Sequence, residues 1–542
     1  MHAHPAGPNR TVFPATSITR PLAAFLLLLA ASLALDGCTT LRDKQIEQRQ
    51  PSYALPADTP TRLKSLAYAP PADAAEQSGF LLLDSGLDAL AARLWLAEQA
   101  ERTLDVQYYI VHGDKTGALV ADALLRAAER GVRVRVLLDD IYVHEHETSL
   151  LALDSQPNLE IRVFNAFRHR GSNPLLRLMQ FFVESDRLNR RMHNKLFIAD
   201  NQMGITGGRN IGDEYFQAHD TFGFVDLDVL AAGPVVPEMS TSFDEYWNSE
   251  AVVPVRAIPG YKDARELLPG LKQRLAGARE SLQATAYWQD LRASPLPGQL
   301  ASGETPWLEG VAHMVVDPPE KVEGNSSVSD LLLGQMIGLR VDPEEELLVI
   351  SPYFVPGRIG MDWLAYLRAR GVAVKVLTNS LAANDVPLVH AGYSRYREPL
   401  LDLGVDLYEL KPLPRSSPKK RNLGSSGSSR SSLHAKSFVF DRKRVFIGSF
   451  NFDPRSALLN TELGLVIDSP LLAEIVALMA EQGMMPANSH RLSLDGSGEA
   501  RTFVWTSESA RGVEATDGEP NSTRWQRFML ELLKLLPIEE NL

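Results

Sequence analysis

Cysteine is nearly missing: Cys38 is the single one among 542 residues. That excludes an internal disulfide framework and any cysteine-rich zinc site. Also missing is an apolar run of the roughly 20 residues a membrane-spanning helix needs; the run from Leu22 to Leu35 is too short. Positive charge is not in excess, with 55 Lys+Arg against 67 Asp+Glu and a formal net charge of −12. A broad nucleic-acid-binding surface is therefore disfavoured, although a local basic pocket is not. No Gly-x-Ser-x-Gly occurs, so a serine-lipase site has no support. The 44% hydrophobic and 23% charged content is that of a globular chain, long enough for two to four cores.

The lone cysteine is informative by its place. Arg10 and Arg20 precede the apolar run, and Leu35-Asp36-Gly37-Cys38 closes it. This order suits a secretory signal and resembles a bacterial lipobox, with Asp36 where a small residue is usual. Residues 1–37 are thus expected to be a lipoprotein-type signal and Cys38 the lipidation site, against the alternative of an uncleaved N-terminal anchor. Cleavage would remove Arg10, Arg20 and Asp36, leaving 53 basic against 66 acidic residues, a net −13. Membrane attachment of so acidic a chain has to come from acyl chains and local apolar surface. Thr40, two past the cysteine, is not the Asp of inner-membrane retention. The expectation is a lipid-anchored protein of the bacterial cell envelope facing the periplasm, on the outer membrane. Residues 38–75 are polar and contain prolines, as a tether would.

Helical and strand periodicities then alternate. Leu87 to Ala100 and Thr116 to Arg130 read as helices, the second closed by Gly131. Leu104–Ile110, Val132–Leu138 and Leu159–Phe164 read as strands. The pattern returns downstream: Arg370-Gly371-Val372 to Leu377 repeats Arg130-Gly131-Val132 to Leu137 at an offset of 240. Such register is the mark of a duplicated domain. The fold class is α/β: two copies of a mixed sheet flanked by helices, related by a pseudo-twofold with one active site between them. The expected bounds are 76–250 for the first copy, 251–306 for a connector and 307–490 for the second copy. Residues 491–542 form a C-terminal extension with a short amphipathic helix carrying Trp525, Phe528, Met529, Leu532, Leu533 and Leu536. That helix suits packing on the protein and lying in a membrane interface equally well. Residues 414–432, rich in Ser, Gly and basic residues, should form a mobile loop.

The chemistry sits in His193-x-Lys195, on what reads as a strand starting at Lys195, followed by Asp200, Gly207 and Asn210. Alternation along a strand sends His193 and Lys195 to one face, suiting an anion with charge spread over several oxygens. The same five residues return 241 positions on as His434, Lys436, Asp441, Gly448 and Asn451. A chance single match is on the order of 10⁻⁴ in such a chain, so a second in register with a repeat marks a shared site. His144-Glu145-His146 looks like a metal clutch but falls in an expected solvated loop. No metal is expected, since two lysines supply the charge neutralisation. No other cofactor is implied.

Two such motifs are the signature of the phospholipase D superfamily. The chain resembles its bacterial cardiolipin synthase C-type branch in Leu104–Ile110, Arg187–Lys195, Gly207–Asp213, Ile447–Ser456 and Leu459–Glu462. The resemblance implies two phospholipase D-like domains and a phosphohistidine mechanism, with His193 as nucleophile and His434 as general acid, though the residues themselves do not order the two. It implies Lys195, Lys436, Asn210 and Asn451 around the non-bridging oxygens, Ser449 as an added hydroxyl donor, and Gly208 at the matching position of the first copy. Asp226 (or Asp228) and Glu462 would orient the imidazoles. Asp200 and Asp441 belong to the catalytic motif, and their distance along the strand fits a structural role better.

Three substrate readings follow from the resemblance. A phosphatidyltransferase would pass a phosphatidyl group to phosphatidylglycerol, from phosphatidylglycerol or phosphatidylethanolamine, at a membrane surface and without nucleic acid. A phospholipase D hydrolase would use water instead. A nuclease fits an exported, acidic chain poorly. The apolar run Pro174–Val183 could admit acyl chains or be a buried helix. No protein partner can be read from the residues.

Overall fold

The computed structural model describes residues 49–167, 179, 183–219, 222–258, 261–412, 430–496, 501–509 and 512–536. The expected signal, Cys38, the first part of the expected tether, most of Pro174–Val183 and residues 414–429 lie outside the described residues.

The expected helices form with their ends capped. Gly86–Gln99 starts under the Ser85 hydroxyl and Lys115–Glu129 under the Asp114 carboxylate. Gly131 and Gly371 follow the matching helices of the two halves with φ of +97° and +86°. These left-handed positions turn the chain directly into the next strand.

The strands in chain order are β1 Gln77–Leu83, β2 Thr103–Tyr108, β3 Arg133–Asp139, β4 Leu159–Phe164, β5 Leu196–Ala199, β6 Met203–Gly207, β7 Phe222–Val225, β8 Asp228–Ala232 and β9 Val252–Pro254. In the second half they are β10 Leu308–Val316, β11 Glu346–Ile350, β12 Ala373–Asn379, β13 Asp406–Leu410, β14 Arg430–Leu433, β15 Ser437–Phe440, β16 Arg444–Gly448, β17 Leu463–Asp468 and β18 Ser489–Asp495. Two more, β19 Thr502–Ser509 and β20 Gly512–Thr516, extend the edge.

Pairing confirms the duplication. The first half runs β9-β4-β3-β2-β5-β6-β8-β1 and the second β18-β13-β12-β11-β15-β16-β17-β10. In each half the β2–β3–β4 equivalents are parallel and the rest antiparallel. β1 pairs antiparallel with β10, from Gln77 opposite Val311 to Phe80 opposite Leu308, so the halves share one 18-stranded sheet.

That sheet folds back on itself around a common core. Leu196 and Ile198 of β5 and Leu463, Leu465 and Ile467 of β17 face it, with the helices Val235–Asn248 and Pro470–Met484. Alternate residues point outward: Phe197 and Ala199 to the first half's helices, Phe438 and Val466 to the second's. Buried on both faces, these strands carry continuous apolar runs rather than a polar alternation.

Some boundaries differ from expectation. Residues 251–306 are part of the first half: β9 adds to its sheet, and the helix Tyr261–Gln283 packs on Lys115–Glu129 and Val143–Asp154. β18 crosses the expected limit at 490 because it is the edge counterpart of β9. His144-Glu145-His146 lies in the first turn of the helix Val143–Asp154, not in a loop. There His146 Nε2 accepts a hydrogen bond from Gly113 N–H at 3.2 Å.

Asp200 and Asp441 are fold residues. The Asp200 carboxylate accepts the backbone N–H groups of Glu101, Arg102 and Thr103 at 2.8–3.0 Å. Asp441 does the same for Glu344, Glu345 and Glu346 at 2.7–2.9 Å. Both sit at the tight turn between paired strands, with φ of +53° and +54°, and lock it to the start of β2 or β11. This corrects their place in the catalytic set: their oxygens are committed to the backbone. Asp200→Ala should cost about 2–4 kcal/mol through three stranded N–H groups. Thermal unfolding should show a lowered midpoint, with turnover per folded molecule retained; lost turnover at an unchanged midpoint would restore a catalytic role.

Candidate active site

Strand β5 begins at Leu196, one position later than expected, so His193 and Lys195 lie in the segment just before it. A backbone bridge from Met192 to Thr461 fixes that segment, and His193 N–H donates to Thr461 O at 2.9 Å. The next residue after Thr461 is Glu462. His193 Nδ1 therefore lies 2.8 Å from Glu462 Oε2.

The second copy repeats this with the roles of the halves exchanged. β14 pairs parallel with β7, placing Leu433 opposite Val225. His434 N–H donates to Val225 O at 2.8 Å, and His434 Nδ1 lies 2.6 Å from Asp226 Oδ2. Each imidazole is thus oriented by a carboxylate from the other half, leaving its Nε2 for the cleft. Asp228, the alternative to Asp226, is instead paired with Arg93 at 2.8 Å and accepts Arg209 N–H at 3.1 Å.

The lysines close over the same centre. Lys195 Nζ donates to His193 O at 2.6 Å and Lys436 Nζ to His434 O at 2.5 Å. Burial lowers Lys195 to about 7 and Lys436 to about 8, against the pull of Glu462 and Asp226. Burial, then the two ammonium groups, holds His193 well below the usual imidazole range. Burial and Lys436 lower His434 to about 4. Both rings are neutral in the free protein near pH 7.

The carboxylates differ. Asp226 is held at about 2, its burial outweighed by His434, Lys436 and Arg209. Glu462 is pushed up to about 7, chiefly by burial. Its Oε2 also accepts the Ser449 hydroxyl, and its backbone N–H donates to Asp317 Oδ2 at 2.9 Å.

Gly208 and Ser449 act through these carboxylates. A Cβ at Gly208 would run into the Asp226 side chain, whereas the longer Glu462 leaves room for Ser449. Neither is placed here as a phosphate donor, as the resemblance had implied. Asn210 accepts Ile110 N–H at 3.3 Å and donates to the Tyr215 hydroxyl at 3.0 Å, leaving one N–H for a ligand. Asn451 is less committed: its buried Oδ1 has no partner among the described residues.

Several residues escaped the sequence. Tyr109 packs edge-on against His193 at 5.0 Å and Tyr215 edge-on against His434 at 5.2 Å, with Phe224 tilted against His434 at 4.7 Å. Tyr353, which follows the matching strand of the second half, donates to Asp385 Oδ2 at 2.9 Å. Arg455 reaches the first half, bonding Asn189 O at 2.6 Å and Oδ1 at 3.0 Å. The aromatic pair ending both repeated strands was the available signal for the two tyrosines.

The family model described as "Cardiolipin synthase, PLD-like domain" matches residues 95–247 and 342–482. One block falls within each of the two halves described above. The chain belongs to the cardiolipin synthase family of phospholipase D-like proteins. It is 43% identical over 467 residues to cardiolipin synthase C of Escherichia coli (strain K12), covering 85% of this chain and 96% of that one. A cardiolipin synthase of Oceanobacillus iheyensis is 23% identical, over 73% of this chain and 67% of its own length. The crystal structure of phosphatidylserine synthase from Haemophilus influenzae superposes with a TM-score of 0.52 at 15% identity, covering 76% of this chain and 87% of that one. That likeness shows the shared fold.

Two outcomes are expected of this geometry. Gly208→Ala should displace the Asp226 carboxylate and lower turnover about 100-fold through His434, while circular dichroism shows the fold intact. The lysines titrate from charged to neutral as pH rises through about 7 and 8. Since the ammonium form carries the charge neutralisation, kcat/KM should fall across that window. A profile flat to pH 9 would assign the neutralisation elsewhere.

Proposed function

We propose that this protein is a phosphatidyltransferase of the cardiolipin synthase type, working at a membrane surface of the bacterial cell envelope. The observation that carries the chemistry is the pair of histidine–carboxylate contacts at 2.8 and 2.6 Å, each joining one half to the other beside two buried lysines. Similarity to cardiolipin synthase C over most of both chains supports the substrate class.

In the first step an imidazole Nε2 attacks phosphorus of a bound phospholipid. The P–N bond forms, the bond from phosphorus to the head-group oxygen breaks, and the opposite imidazole, which takes up a proton from solvent on Nε2 when the phosphate anion binds beside it, gives that proton to the departing oxygen. In the second step the same imidazole takes the proton of the incoming glycerol hydroxyl of phosphatidylglycerol. The new O–P bond forms and the histidine is released. Lys195, Lys436 and the Asn451 amide meet the non-bridging oxygens as charge builds. The donor is phosphatidylglycerol or phosphatidylethanolamine. Lipidation at Cys38 and outer-membrane placement complete the proposal.

His193 is assigned as nucleophile by the family resemblance. The opposite order has one observation in its favour: Asp226 stays ionised at about 2 and fixes an Nδ1–H on His434, whereas Glu462, at about 7, can hold a proton beside His193. Mass spectrometry of enzyme quenched and kept at alkaline pH separates the two by which histidine peptide carries the phosphatidyl group.

Purified protein given phosphatidylglycerol, with and without phosphatidylethanolamine, should yield cardiolipin. Phosphatidic acid as the sole product would make it a hydrolase, and DNA cleavage without lipid turnover would remove both lipid readings. His193→Ala and His434→Ala should each lower turnover by about 10³-fold or more without loss of fold. Near-normal rates in either variant would exclude the two-histidine scheme.

A further inference from the structure

The helix Arg524–Leu533 was expected to present one apolar face, and the structure divides that face in two. Leu530, 2% exposed, and Leu533 pack on Leu381 and Ala391 of the second half. Trp525 and Phe528 remain 67% and 57% exposed, with Leu532, Leu535 and Leu536 open beside them. At 100° per residue Trp525, Phe528 and Leu532 fall within a stripe roughly 60° wide, and Leu535 and Leu536 lie in the turn that follows the helix.

The helix is held rigidly where it is. Thr523 and Gln526 form a reciprocal capping box at its start. At its end the Arg395 guanidinium donates to Lys534 O and, at 2.7 Å, to Leu536 O. The segment leading in is pinned by Arg397 to Glu519 and by Asn521 to His490.

Its seat matters. Leu381 lies in the short connection after β12, whose last residue, Asn379, bonds both the N–H and the C=O of Leu433 at 2.9 Å. Leu433 directly precedes His434. The same connection continues to Asp385, which holds the Tyr353 hydroxyl and whose charge acts on His434 and Lys436. One face of this connection lines the reaction centre and the other seats the tail helix.

Charge selects the occupant. Arg524, Arg527 and Lys534 stand against one acidic residue, Glu531, on the helix, within a chain of net charge −12. A basic-flanked stripe with Trp and Phe beside leucines fits an interface of anionic lipids. We infer that the Trp525–Phe528–Leu532 face docks into an anionic phospholipid bilayer and sets the mouth of the active site against the lipid that it consumes. This deepens the proposed function and rests on it.

The test uses the full chain with Cys38→Ser, so that no acyl anchor contributes. Phe528→Cys in that chain, labelled with an environment-sensitive fluorophore, should shift to the blue on phosphatidylglycerol vesicles, be quenched by nitroxide lipids, and respond less to phosphatidylcholine vesicles. The variant Trp525→Ser/Phe528→Ser/Leu532→Ser should lose about tenfold or more of its turnover on phosphatidylglycerol vesicles. Its turnover of dissolved short-chain phosphatidylglycerol should stay unchanged, which separates surface docking from damage to the site. A probe that stays in water, or equal vesicle turnover by the triple variant, overturns the inference. So does a halved sedimentation mass in the triple variant, which would make the face an interface between copies. Absence of all phospholipid turnover with the blue shift intact would instead sink the proposed function alone.

Discussion

Two hydrogen-bonded contacts that cross between the halves constrain everything else: His193 with Glu462 and His434 with Asp226. An imidazole with a free Nδ1 can rotate and change tautomer, and its Nε2 is then neither a dependable nucleophile nor a dependable acid. Here the oriented tautomer exists only if the two halves keep their register to a fraction of an ångström. The bridge Met192–Thr461 and the β7–β14 pairing set that register locally. The β1–β10 seam and the core shared by β5, β8, β16 and β17 hold it globally. Asp200 and Asp441 serve the same end by fixing the turn behind each motif strand.

The pseudo-twofold is broken at the chemically useful places. Gly208 faces a short carboxylate and Ser449 supports a long one. Asp226 is ionised outright, while Glu462 lies near neutrality in its proton affinity. On the His193 side Arg455 reaches over to Asn189, and on the His434 side Asp385 holds Tyr353. Identical dyads would be poorly matched to two steps that need different protonation states.

Much of the duplicated fold could be read from the residues, because Arg-Gly-Val and the His-x-Lys motif return at nearly one offset. The histidines and lysines were likewise legible from the repeat, whereas the carboxylates came from the family resemblance, with Asp228 left open beside Asp226. What could not be read was partnership. That Glu462 serves His193 and Asp226 serves His434 depends on how two sheets fold together, which no local period encodes. The Tyr215 hydroxyl that takes one Asn210 N–H could not be read either, because the two side chains meet only after a turn in space. The helix Val143–Asp154 was hidden since charged and polar residues dominate its first turns. Residues 251–306 looked like a connector because their apolar positions are sparse, yet Leu271, Leu275 and Leu282 reach the first core.

The exchange of carboxylates between halves also has a bearing on descent. A single half holds one histidine and the acidic residue that serves the other half's histidine, so alone it completes no dyad. Two identical halves meeting about a twofold would complete both at once. A half-length forerunner with this chemistry would have been obliged to work as a homodimer. Fusion into one chain then freed each copy to vary separately, and Gly208 opposite Ser449 is a record of that freedom.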